Sequence, residues 1–186
     1  MTVIFSNRGD QDCLSLTRVF DGIDDVKLVE LKRCDTDPIK RLNDKRAVEK
    51  AMAEEEDTLV IIGHGSPNGL FYPDFDGYAV NDSNYSLIRA RNLICIWCFA
   101  SEFCMRHRLH AFASSMFISN VSEAMMNGIY GYSPLQIDQN ATRFYTEVNC
   151  MLKDKTPLVE WVDKLTGNVD KNNKVDVFNR EALYFD

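Results

Sequence analysis

Two short runs hold the side chains best suited to covalent chemistry. Leu59-Val60-Ile61-Ile62 leads into Gly63-His64-Gly65, and Leu93-Ile94-Cys95-Ile96-Trp97 leads into Cys98. A thiol is a weak nucleophile until it loses its proton, and a nearby imidazole can accept that proton or balance the resulting charge. Cys98 also precedes a helical pattern, whose N-terminal dipole would lower a thiol pKa. Gly65 has no side chain, so its backbone N–H can approach a reacting carbonyl oxygen; with the N–H of Cys98 it could form an oxyanion hole.

These groups meet only if the elements carrying them are neighbours. Thr58 to Ile62 reads as strand three, fit for burial on both faces, and Leu93 to Trp97 as strand four. In open α/β sheets, sites form outside the carboxyl ends of the strands. The rest of the chain alternates strand and helix. Thr2 to Phe5 reads as strand one. Leu16, Val19, Phe20 and Ile23 form a helical stripe, and Val26 to Leu31 reads as strand two. Ala47, Val48, Ala51 and Met52 mark a second helix. Leu70 to Val80, with Pro73 and Asp76-Gly77, reads as a hairpin or turn. Asn84 to Arg91 fits a short helix and Phe99 to Leu109 a longer one, with Ala111 to Ile118 as strand five. Asn120 and Glu123 resemble a capping box. Ile137 to Leu152 is a long helical stripe, and Pro157 opens a further helix. Val175 to Phe178, or Leu183 to Phe185, supplies a last strand. Strands separated by helices imply parallel crossovers, hence an α/β three-layer sandwich with a mostly parallel sheet in one domain, residues 1 to 186.

The chain has 186 residues, 45% hydrophobic and 26% charged, which argues against disorder. Its net charge of −7 disfavours nucleic acid as a partner. The mixed-sign run Lys40 to Lys50 reads as a solvated helix face. No apolar run approaches the roughly 20 residues of a membrane helix. The first residues lack the basic start of a signal peptide, so the expected setting is cytoplasmic, with six cysteines as free thiols.

With these motifs the sequence resembles the caspase-like cysteine peptidases, the clan of caspases, paracaspases, gingipains, separases and CHAT proteases. The resemblance rests on strand plus His64-Gly65, a loop with Gly69 and Asp76-Gly77, and strand plus Cys98, with Asn7-Arg8-Gly9-Asp10-Gln11-Asp12 after strand one. It implies a caspase-like fold and an endopeptidase acting on a protein or peptide substrate. His64 would be base and acid, and Cys98 the nucleophile that forms a thioester acyl-enzyme. No cofactor or metal is implied. Arg8 would lie near a substrate pocket and favour an acidic P1 side chain by bidentate pairing. Trp97 departs from the small residue usual before the nucleophile and would narrow the substrate cleft. The Gly usual two positions after the nucleophile is Ala100 here, and the long cleavable linker is missing.

Other readings stay open. The departures also fit an inactive caspase-like binding or scaffold module. Trp97-Cys98-Phe99-Ala100-Ser101 is similar to the WCxxS variant of a thioredoxin motif. Cys95 and Cys98 share a CxxC spacing, but a strand would separate their sulfurs. Cys104, His107 and His110 could contribute to a zinc site given a fourth ligand, or be a core thiol with two surface histidines. Cys13, Cys34 and Cys150 read as small buried hydrophobes, and Met116, Met125, Met126 and Met151 as core.

Overall fold

The computed structural model describes residues 1–33 and 37–186. Cys34, one of the expected buried cysteines, lies outside the described residues.

The main sheet is built from β1 (Thr2–Asn7), β2 (Lys27–Lys32), β3 (Thr58–Gly63), β7 (Asn92–Ile96), β8 (Ala111–Ser114) and β9 (Leu183–Phe185). Its order is β2-β1-β3-β7-β8-β9. Every pairing is parallel except that of β9, which runs antiparallel to β8. A second small antiparallel sheet, β4 (Gly65–Ser66), β5 (Gly69–Phe71) and β6 (Tyr78–Val80), follows β3 directly.

The central strands are apolar throughout because successive side chains point to opposite faces and both faces are covered. Val3, Phe5, Val60, Ile62, Ile94 and Ile96 go to one core, under α1 (Gln11–Leu16), α5 (Pro134–Lys153) and α6 (Trp161–Gly167). Ile4, Leu59, Ile61, Leu93 and Cys95 go to the other, under α2 (Pro38–Glu54) and α3 (Ala100–His107). The result is helices on both faces of a mostly parallel sheet. A smaller cluster of Ile118, Ala124, Ile137 and Val175 joins α4 (Val121–Met126) and α7 (Lys174–Glu181) to α5.

Local chemistry sets the helix starts. Ser133 and Gln136 form a capping box ahead of Pro134 at the start of α5. Asn120 caps α4 by accepting the Glu123 N–H, but the Glu123 carboxylate binds Ser119 rather than closing a box. On α2 the charged face is solvated and carries the pairs Lys40–Asp44, Lys45–Glu49 and Lys50–Glu54, as its mixed-sign pattern indicates.

The structure shifts several expected elements. The first helix spans Gln11–Leu16 and then tightens into a 3-10 turn at Thr17–Val19, because Asp10 caps it upstream of the stripe. Asn84 to Arg91 forms only a 3-10 turn, Tyr85–Leu87. Strand five stops at Ser114, because the following backbone bonds elsewhere: Ser115 O accepts the Phe99 N–H, and the Ile118 N–H donates to Asn179 Oδ1. Val175 to Phe178 is helical, and Leu183–Phe185 is the last strand. Cys150 is exposed, being on the outer side of α5, and Met125 and Met126 are exposed on α4. Among the described residues, no helix is long and apolar enough to cross a membrane.

Candidate active site

β3 and β7 are adjacent and parallel, with Ile62 opposite Ile96. His64 and Cys98 each come two residues after that pair, just past the strand ends, so the register brings both to the same edge of the sheet. Neighbouring strands lie about 4.8 Å apart. His64 and Cys98 line one cavity of about 30 Å3, together with Asp12, Ser114, Phe117, Ser119, Glu123 and Tyr145. That is room for about one water molecule. Larger cavities, of about 440 and 420 Å3, lie at α5–α6 and at the amino ends of the strands, away from both residues.

His64 is half-buried, and its Nε2 lies 2.8 Å from Asp10 Oδ2. A carboxylate only accepts, so Nε2 carries the proton and Nδ1 is left as the basic nitrogen. Asp10 is itself fixed, since its Oδ1 accepts the Cys13 N–H at 3.0 Å as the cap of α1. Burial raises the Asp10 pKa, but the Cys13 N–H and the His64 ring outweigh it and hold the carboxyl below its ordinary value. Asp10 is therefore a cap and an imidazole partner at once. The cap is a local feature, three residues before Cys13, but nothing local says that Asp10 faces His64.

Cys98 follows β7 and precedes Phe99, which takes a left-handed φ of 67° at the start of α3. Its Sγ is 4.0 Å from Phe117 O. The helix start was expected to lower the thiol pKa; instead it is pushed up to about 11. Burial is the main cause. The Phe117 backbone opposes it, while Glu123 and Asp12 add negative charge nearby. Cys98 at rest is thus a neutral thiol, not a preformed thiolate.

Gly65 is required by packing. A Cβ there would sit 2.1 Å from Trp97 Cδ1 and 2.7 Å from Gly69 O. The Phe71 N–H donates to His64 O, which makes that pair the hydrogen-bonded one of its ladder. Gly65 and Leu70 are then the non-hydrogen-bonded pair, with the Gly65 N–H directed away from β5. Trp97 is buried in the α2–α3 core, its Nε1 donating to Ser66 O. Its indole packs against the Gly65 segment, and Trp97 is one of the residues lining the cavity.

Arg8 lies beside the site. Its Nε is 3.5 Å from Asp10 Oδ2, and its guanidinium stands 4.2 Å above the Phe75 ring. Phe75, half-exposed at the tip between β5 and β6, packs edge-on to His64. Asp10, Asp12, Phe75 and Glu123 are site neighbours for which the sequence carried no periodic signal, whereas Tyr145 lies on the expected stripe of α5.

The other cysteine and histidine patterns disperse. Cys95 is fully buried within β7 beside Cys104, and the described cysteines are free thiols. His107 stacks on Tyr85 and meets Asp82, and it forms no ligand cluster with Cys104 and His110 among the described residues. The cluster with metal-ligating geometry is a different one, Asp10, Cys13 and His64, whose ligand atoms lie within 4.8 Å of one another.

Comparison with known proteins finds no family, curated protein or solved structure that matches this chain.

Proposed function

We propose that the chain is a caspase-like cysteine endopeptidase. The observation that carries the proposal is the shared register of β3 and β7, which sets His64 and Cys98 on one cavity. In the proposed reaction His64 Nδ1 takes the Cys98 proton as Sγ attacks the scissile carbonyl. The C–S bond forms, and the carbonyl oxygen becomes an oxyanion held by the N–H groups of Gly65 and Cys98. The His64 imidazolium, stabilised by Asp10, gives its proton to the leaving amine as the C–N bond breaks. Water then attacks the thioester with His64 as base, which releases the acid and restores the thiol. Arg8 turns from Asp10 to an acidic P1 side chain, and Phe75 forms a wall of that pocket.

The test is cleavage of a peptide library by wild type, Cys98→Ala and His64→Ala, with thermal melts alongside. Cleavage lost in both variants at unchanged melting supports the assignment; turnover that survives Cys98→Ala overturns it. An acidic P1 preference that weakens in Arg8→Ala supports the Arg8 role.

Two observations favour a second reading. The thiol is pushed up to about 11 and its cavity is about 30 Å3, as suits a closed binding module that has kept the fold. The two separate on a peptidyl electrophile with acidic P1: the peptidase alkylates at Cys98, and the binding module does not.

A further inference from the structure

Asp10, Cys13 and His64 meet although they belong to different elements. Asp10 and Cys13 open α1, and His64 directly follows β3. They offer a carboxylate oxygen, a sulfur and an imidazole nitrogen within 4.8 Å of one another. Tetrahedral zinc ligands, bound at about 2.0–2.3 Å, lie roughly 3.3–3.8 Å apart. To surround an ion, the sulfur needs to move in by about 1 Å and the Asp10–His64 pair to open from 2.8 Å by about 0.5 Å.

Its surroundings fit that use. The Cys13 N–H holds Asp10 Oδ1, which aims Oδ2 at His64 Nε2. Such hydrogen bonds are what orient a metal's carboxylate ligand. The Arg8 backbone N–H donates to Cys13 Sγ at 3.4 Å, a contact that favours thiolate charge. Cys13 is fully buried, while the Asp10 and His64 side chains remain 35% and 24% exposed, which gives an ion a way in from solvent.

We propose that Asp10 Oδ2, Cys13 Sγ and His64 Nε2 form a regulatory site for a divalent transition metal of zinc-like softness, with water or a substrate group as fourth ligand. On binding, Cys13 releases its proton to solvent and becomes a thiolate ligand. The His64 proton leaves Nε2 and Nδ1 takes one up, so the ring stays neutral. One proton is released in total, with no change of oxidation state. Because the thiol must give up its proton to bind, affinity rises with pH.

The consequence for activity rests on the peptidase reading. Nδ1, the nitrogen that would accept the Cys98 proton, carries a proton in the metallated ring. The metal would therefore switch off the base without touching Cys98.

The test is titration of the full chain with Co2+, read by visible absorption and by the near-ultraviolet sulfur-to-cobalt charge-transfer band, with Zn2+ as competitor. The expected result is one Co2+ per chain, displaced by Zn2+, and a charge-transfer band that survives Cys98→Ala. Cys13→Ala should lose the band and weaken binding by about 100-fold or more. His64→Ala should also weaken binding, which keeps the test decisive if Cys13→Ala does not fold. A band unchanged in Cys13→Ala, or one lost in Cys98→Ala, overturns the proposal. Because no activity is read, failure of the metal site and failure of the peptidase assignment are told apart.

Discussion

Replacing Asp10 by Asn and by Ala should separate its two jobs in opposite directions. Asp10 Oδ1 caps α1 through the Cys13 N–H, and Oδ2 binds His64 Nε2. In Asp10→Asn the carbonyl must stay on the Cys13 N–H, because an NH2 there would face a donor. The NH2 then points at His64 Nε2 and stabilises the tautomer with Nε2 bare and Nδ1 protonated. A ring in that tautomer cannot take the Cys98 proton. Imposing the wrong tautomer on a catalytic histidine costs up to about 10^4 in rate, so a loss of about 10^2 to 10^4, or about 3–5 kcal/mol of barrier, is expected. Stability should hardly change, since Asn and Asp cap equally well.

Asp10→Ala should do the reverse. It removes the cap, at about 1 kcal/mol of stability. It also removes the partner of the imidazolium, a charge-assisted bond worth about 1.5–3 kcal/mol, but it leaves the ring free to choose its tautomer. Its rate loss should therefore be the smaller, about 10- to 150-fold. The assay is kcat/KM on a peptide substrate beside urea unfolding of each variant. A rate order with Ala slower than Asn, or Asn as fast as wild type, would falsify the assignment of the Nε2 proton to Asp10.

Three further outcomes are expected. Glu123→Gln removes a negative charge that raises the Cys98 thiol, so Cys98 should titrate below its present value of about 11; alkylation-rate profiles against pH check this, and an unmoved or higher midpoint contradicts it. Gly65→Ala drives a Cβ into Trp97 and Gly69 O and should cost about 1–3 kcal/mol or more in denaturant unfolding, whereas an unchanged midpoint would mean that the Trp97 contact is easily relieved. For Glu55, burial raises the pKa, but the Thr2 hydroxyl and the Asp57 and Thr58 N–H groups outweigh it and hold the folded carboxyl below its ordinary 4.5. Its contribution is then present above pH 4.5 and lost as the pH falls through the folded value, so the melting curves of wild type and Glu55→Gln should converge between neutral pH and that acid range, and parallel curves would contradict it.

What the sequence made legible, and what it hid, follows from the range of each physical signal. Strands β3 and β7 were readable because burial on both faces leaves no room for polar residues from Leu59 to Ile62 or from Leu93 to Ile96. The strand ends then pointed to His64 and Cys98, since a chain leaving such a strand must emerge at the sheet edge. The end of β8 was not readable, because Ser114-Ser115 interrupts the apolar run Ala111 to Ile118 only briefly, and long-range bonds to Phe99 and Asn179 hold its second half out of the sheet. The same limit hid the chemistry of Asp10. As a helix cap it is a local feature, but its other oxygen meets a histidine whose separation in sequence is bridged only by the parallel pairing of β1 with β3. Cys13 shows the limit most plainly. Read alone, it is a small buried hydrophobe, and it is buried. Only its placement against Asp10 and His64 gives its sulfur something to do. Burial class and chemical role are therefore independent properties of a cysteine, and the second is set by the neighbours the sheet delivers.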